Sequence, residues 1–176
     1  MNYRRVYSKF FYTFEKKNSN FISKTAPMTN FKINVLLFTQ LPIAWIAGLK
    51  LWSYSEEACS ISVKLSFLNK NPFKSMFWAV QGMAAELSTG LLCIDAIKKS
   101  GQNISMLVIE QKGQFFKKAT GKIIFTCSQG LEIKDMIRKA IETKESQTIT
   151  LKSDGINEMG DKVSHFEFIW SFKLKG

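Results

Sequence analysis

Cysteine and histidine are both scarce. The three cysteines, Cys59, Cys93 and Cys127, form no CxxC pair. That spacing excludes a zinc ribbon and a disulfide framework, and it suits a reducing cytoplasm. His165 is the single histidine, so a multi-histidine metal centre is excluded, and no metal and no cofactor are expected. The glycine-rich phosphate loop of a Rossmann or P-loop protein is missing. So are the continuous apolar core and small-residue cleavage site of a secretory signal. The most apolar stretch, Ile33–Trp52, is interrupted by Gln40, Pro42, Gly48 and Lys50. A membrane span needs roughly twenty predominantly apolar residues, so no transmembrane segment is expected.

What is present is an ordinary globular composition. Across 176 residues, 45% are hydrophobic and 22% charged, which rules out disorder over the whole chain and allows one domain with a real core. Net charge is +11, from 25 basic and 14 acidic residues. Nearly half of the excess lies in residues 1–27, where Arg4, Arg5, Lys9, Lys16, Lys17 and Lys24 face Glu15 alone. Aromatics crowd the same segment. It reads as a poorly ordered extension, or as residues upstream of a start at Met28, with residues 28–176 forming one domain. Basic residues among aromatics also suit single-stranded nucleic acid, but no RNP-like or helix-turn-helix signature supports that reading, and nucleic acid is not the expected partner.

Periodicity orders the rest. An amphipathic helix is expected from about Asn30 to Gln40, then a Pro-bent turn, with Gly48 opening a strand. Leu49–Tyr54 and Cys59–Phe67 read as a hairpin. Residues 72–100 then carry Met76, Val80, Met83, Leu87, Leu91 and Ile94 at helical steps, with Asn71 or Ser75 as the expected cap. Between Met76 and Ile97 only Glu86 and Asp95 are ionisable. A surface helix has a charged side, so this one should be covered nearly all round. Strands follow at Ser105–Gln114, with a bulge expected at Gly113, and at Lys122–Cys127. Gly130–Thr143 is a second amphipathic helix. Gln147–Ser153 and Val163–Lys173 form a last hairpin around Asp154-Gly155 and Met159-Gly160, and Phe166, Phe168, Trp170, Phe172 and Leu174 share one strand face. The class is α+β, with an antiparallel sheet of about six strands wrapped around a long central helix.

That architecture resembles the hotdog fold, and several phrases resemble its thioesterase superfamily. Asn71-Pro72-Phe73-Lys74-Ser75 stands where phenylacetate-type acyl-CoA thioesterases carry an asparagine-led loop. Ala85-Glu86-Leu87-Ser88-Thr89-Gly90 stands where they carry an acid followed by Ser-Thr, and Phe116–Gly121 resembles a recurrent strand ending. Residues 30–175 are similar to an uncharacterised bacterial hotdog family. Two departures stand out: Phe77-Trp78 replaces a His-Gly pair, and aligning the Ser-Thr pair puts Ala85 at the acid's position with Glu86 one residue later. One residue is about 100° around a helix.

The resemblance implies an acyl thioester substrate, with acyl-CoA foremost, and a homodimer or homotetramer. Glu86 would be general base or nucleophile, with Asn71 and Gln81 as positioning groups. Phe77, Trp78, Ala79, Gly82 and Thr89 would line the substrate, the amides of 77–79 serving as an oxyanion site. The residues themselves add one argument: on the stripe of Glu86 lie Ala79, Gly82, Gly90 and Cys93, all small, leaving room for a ligand or for a second helix. Burial would raise the pKa of such a carboxylate toward values useful for proton transfer. The competing reading satisfies Glu86 with Gln81, Ser88, Thr89 or a lysine across a dimer interface. A non-catalytic protein holding an acyl chain or lipid beside Met76, Met83 and Leu87 is the alternative function. His165 reads as an exposed strand residue, and Lys112, Lys117, Lys118 and Lys122 as a solvated sheet edge or a phosphate attractor.

Overall fold

A computed structural model of the chain describes residues 29–175. The extension expected over 1–27 lies outside the described residues. Helix α1 (Asn30–Gln40) begins at Thr29, whose hydroxyl accepts from the Lys32 amide at 3.4 Å. Pro42 then opens a short helix α2 (Pro42–Ile46) as its first residue, where a proline costs no hydrogen bond. Gly48 closes α2 in the left-handed region at φ 85° and does not open the strand, because β1 (Lys50–Tyr54) begins two residues later.

The remaining elements are β2 (Cys59–Lys64), α3 (Trp78–Ser100), β3 (Ile104–Phe115), β4 (Lys122–Cys127), α4 (Gly130–Thr143), β5 (Gln147–Asn157) and β6 (Lys162–Leu174). They build one six-stranded sheet in the order β1-β2-β4-β5-β6-β3, with every neighbouring pair antiparallel. The chain leaves the sheet after β2 and re-enters at the far edge as β3. Helix α3 makes that crossing, so it lies across the face of the sheet and packs on β2, β4, β5 and β6.

Composition explains the placement. The side chains of Ala84, Ala85, Leu91, Leu92 and Cys93 are buried on α3, and those of Phe166, Phe168, Trp170 and Phe172 on β6. The polar residues buried with them are paired. Ser88 Oγ meets Ser153 Oγ of β5 at 2.8 Å, and Thr89 Oγ1 accepts from Trp170 Nε1 at 3.1 Å, so α3 is bonded to the sheet as well as packed on it. By length and composition α3 is apolar enough to cross a membrane, but that apolarity here serves burial under a sheet.

Three local expectations differ. Neither Asn71 nor Ser75 caps α3: Phe77 holds the N-cap position without a side-chain bond. Asn71 instead closes its own loop, its Oδ1 accepting from the Phe73 and Ser75 amides at 2.9 and 3.2 Å, the local competition that asparagine side chains favour. The bulge in β3 falls between Val108 and Glu110. Gly113 pairs regularly with Phe166, and a Cβ there would come within 2.9 Å of that ring. Asp154-Gly155 does not turn either. The strand runs on to Asn157, because Gly155 leaves room for the Phe125 ring and for Ser164 opposite.

Candidate active site

Helices α1 and α2 do not lie flat on α3. Between them runs a groove of about 390 Å³, within the usual range for small-molecule sites. Leu36, Leu41 and Ile43 form one wall and Met83, Leu87 and Ile94 the other, with Met106 of β3 and Trp170 of β6 contributing from the sheet. The α3 residues come from one stripe, at three- and four-residue steps. The stripe also carries Glu86, and with Gln40 it supplies the carboxylate and amide of an otherwise apolar lining.

Glu86 is exposed to solvent and not buried as expected, although protein packs closely around it. The lost hydration disfavours the charged form and raises its pKa above the usual glutamate value. Among the described residues no hydrogen bond or ion pair engages its carboxylate. The partners considered from sequence are committed elsewhere. Ser88 Oγ donates to the Ala85 carbonyl at 2.7 Å, and Thr89 Oγ1 to the Glu86 carbonyl at 2.9 Å. Gln81 is buried and donates from Nε2 to the Met76 carbonyl at 3.3 Å, leaving its Oε1 without a partner.

Of the residues expected to act in catalysis or to line the substrate, Glu86 alone borders the groove. Asn71 belongs to the loop before α3, where its Nδ2 donates to Ser75 Oγ at 3.1 Å. Phe77 and Trp78 stand exposed at the start of α3, ring edge to face at 5.7 Å. Ala79 is half-buried one residue on. The space beside Gly82 and Gly90 is taken by Phe166 and Trp170, each 3.6 Å from where a Cβ would stand. Thr89 anchors Trp170. Met76 is in the core and does not border the groove, whereas Met83 and Leu87 do.

Sequence reasoning missed Gln40, Met106 and Trp170 as lining residues. Gln40 did leave a trace, as the polar interruption of an apolar run. The contribution of Met106 and Trp170 depends on β3 and β6 lying side by side, which no local pattern announces.

Elsewhere the chemistry is quieter. His165 is half-buried rather than exposed, held by Asp154 Oδ1 at 2.6 Å and Glu167 Oε1 at 3.5 Å. Lys117 pairs with Asp161 at 2.8 Å, and Lys122 lies over the Trp52 ring at 4.6 Å; none of the four β3–β4 lysines borders the groove. The cysteines are free and buried. Burial pushes the thiol of Cys59 up to about 12 and that of Cys127 to about 11, so they act as small apolar residues. Among the described residues no cluster is suited to a metal ion.

Solved structures share this arrangement. A Pseudomonas aeruginosa protein of unknown function, named a probable thioesterase, superposes with a TM-score of 0.72 at 18% identity, covering 85% of this chain and 98% of its own. A Chlorobaculum tepidum protein of unknown function gives 0.71 at 16% identity, over 84% and 98% of the two chains. A Haemophilus influenzae thioesterase gives 0.61 at 10%, over 85% and 93%. This is the hotdog fold. No protein-family model and no curated protein matches the chain, so the hotdog assignment rests on tertiary structure.

Proposed function

We propose that this hotdog protein hydrolyses an acyl thioester, with acyl-CoA the foremost substrate class. The observation that carries the reading is the carboxylate of Glu86, unpartnered in an apolar groove that raises its pKa. A base with a raised pKa takes a proton more readily near neutral pH. Glu86 removes a proton from water, the water oxygen attacks the thioester carbonyl, and the C–S bond breaks as Glu86 returns that proton to the departing thiolate. The acyl chain lies along Met83, Leu87 and Ile94. Direct attack by the carboxylate is the variant of this step.

The Phe77 amide is spent on the Asn69 carbonyl at 2.8 Å, so Asn71, Gln81 and the amides of Trp78 and Ala79 are left to complete the proposed machinery, and only with help. Trp78 lies about 12 Å from Glu86 along the axis, at roughly 1.5 Å per residue, too far for both to serve one carbonyl within a chain. A homodimer or homotetramer joined edge to edge would present a second helix start. The twelve-residue edge strand β3, with Leu107 and Ile109 exposed, supports such pairing. The free, buried cysteines fit a cytoplasmic setting.

A second reading, binding of an acyl chain or lipid without turnover, is favoured by the near absence of polar groups around Glu86. Thiol release from short, aromatic and long acyl-CoAs, measured for wild type and Glu86→Gln, separates the two. Turnover that disappears in the variant supports hydrolysis. No release on any thioester by folded wild type replaces it with binding.

A further inference from the structure

We infer that the loop between β2 and α3, together with the end of α2, docks on an anionic lipid surface. Phe67, Leu68 and Phe73 are 80%, 70% and 74% exposed, a density of protruding apolar side chains that marks an interaction site.

They do not protrude because the loop is slack. Asn69 is buried, its Oδ1 accepting from the Ser66 amide at 2.8 Å while its Nδ2 donates to the Ala47 and Lys64 carbonyls at 2.9 Å each. Asn71 closes the next turn, and the Phe77 amide returns to the Asn69 carbonyl at 2.8 Å. The backbone is satisfied internally and the rings are held outward on a stiff frame. The Asn69–Ala47 bond also joins this frame to the end of α2, where Trp45 and Ile46 are exposed.

The charge along this segment has one sign. Residues 58–85 contain no acidic side chain, and Lys64, Lys70 and Lys74 are all exposed. Elsewhere Lys99, Lys117, Lys122 and Lys134 pair with carboxylates. Lys70 instead sits over the Phe67 ring, 4.6 Å from its centre. Aromatic and aliphatic anchors among unneutralised lysines match the membrane interface, where rings enter the headgroup layer and lysines meet anionic lipid. The anchors stand out as knobs. A fluid lipid surface accepts knobs without a matching cavity, and Leu68 offers nucleic acid nothing to stack.

The test is flotation of the full chain with vesicles of phosphatidylcholine alone or with about one third phosphatidylserine. It compares wild type with Phe67→Ser/Phe73→Ser and Lys70→Glu/Lys74→Glu, with light scattering and thermal melting alongside. The expected result is binding to the anionic vesicles that weakens with salt and falls at least tenfold in both variants, with melting and oligomeric state unchanged. Four results overturn it: no vesicle binding by wild type, equal binding to neutral vesicles, variants that bind like wild type, or variants that change oligomeric state while vesicle binding persists. The last would assign the surface to a second copy. Retention of a single-stranded oligonucleotide through the same lysines, without vesicle binding, would equally overturn it.

Discussion

Two carboxylate settings in this protein show how the same functional group acquires opposite chemistry. Glu86 on α3 and the pair Asp154 and Glu167 on the sheet are all reached by solvent. Glu86 sits among apolar walls with no cation beside it, and its pKa rises. Asp154 also loses hydration, which alone would raise it. The hydrogen bonds and charges of His165 and Lys162 outweigh that loss and hold it below the usual aspartate value. Glu167 is lowered mainly by its bond to His165. Partners decide the direction: a paired carboxylate is stabilised as an anion and chemically quiet, an unpaired one in an apolar cleft is available for work.

The sharpest way to break this contrast is activity. Glu86→Gln should reduce thiol release by about 10²- to 10⁴-fold, the usual contribution of a positioned base, while Glu167→Gln stays within about twofold. Equal losses in steady-state assays would remove the distinction between the sites. Next in size is packing in the core of the sheet. Phe166 is fully buried among Phe115, Phe125 and Phe168, so Phe166→Ala should cost about 3–5 kcal/mol in denaturant unfolding. The solvent-facing Thr148→Ala should cost under about 0.5 kcal/mol.

The pH dependence of stability should carry opposite signs at the two sites. With its folded pKa raised, Glu86 favours the fold fully below about 4.5, the unfolded value, and that contribution is lost as pH rises through the folded pKa. Glu86→Gln should therefore flatten the fall of stability on that alkaline side. Asp154, with its folded pKa lowered, favours the fold above about 3.8, and that is lost as pH falls through the folded value. Unfolding free energies measured from pH 3 to 8 for both variants read this directly, and matching signs would refute it. Smaller than either the activity or the core effect is Asp154→Asn at neutral pH, about 1 kcal/mol or less by thermal unfolding, as for a partly exposed ion pair.

Much of the fold was legible because it follows from local pattern. Both amphipathic helices, Asn30–Gln40 and Gly130–Thr143, begin and end where periodicity places them. The want of charge on α3 announced its burial, and the alternation of β6 announced which rings face inward. The misplaced features are those governed by contacts between distant segments. Gly113 and Gly155 look like turn or bulge residues, yet they are glycines because Phe166 and Phe125 pass over them. Asn71 looks like a cap but is spent on its own loop.

The candidate site divides in the same way. The sequence alone determined that Glu86 would be the one ionisable group in the first two thirds of a long apolar helix, since burial of apolar surface is dictated by residue type. Only the tertiary structure decided that it borders a groove, that Gln40 and Trp170 join it there, and that Gln81 and Thr89 are turned to other partners. A helix face is set by a spacing of a few residues, but what stands opposite it depends on strands and helices dozens of residues away, and only their packing brings those together.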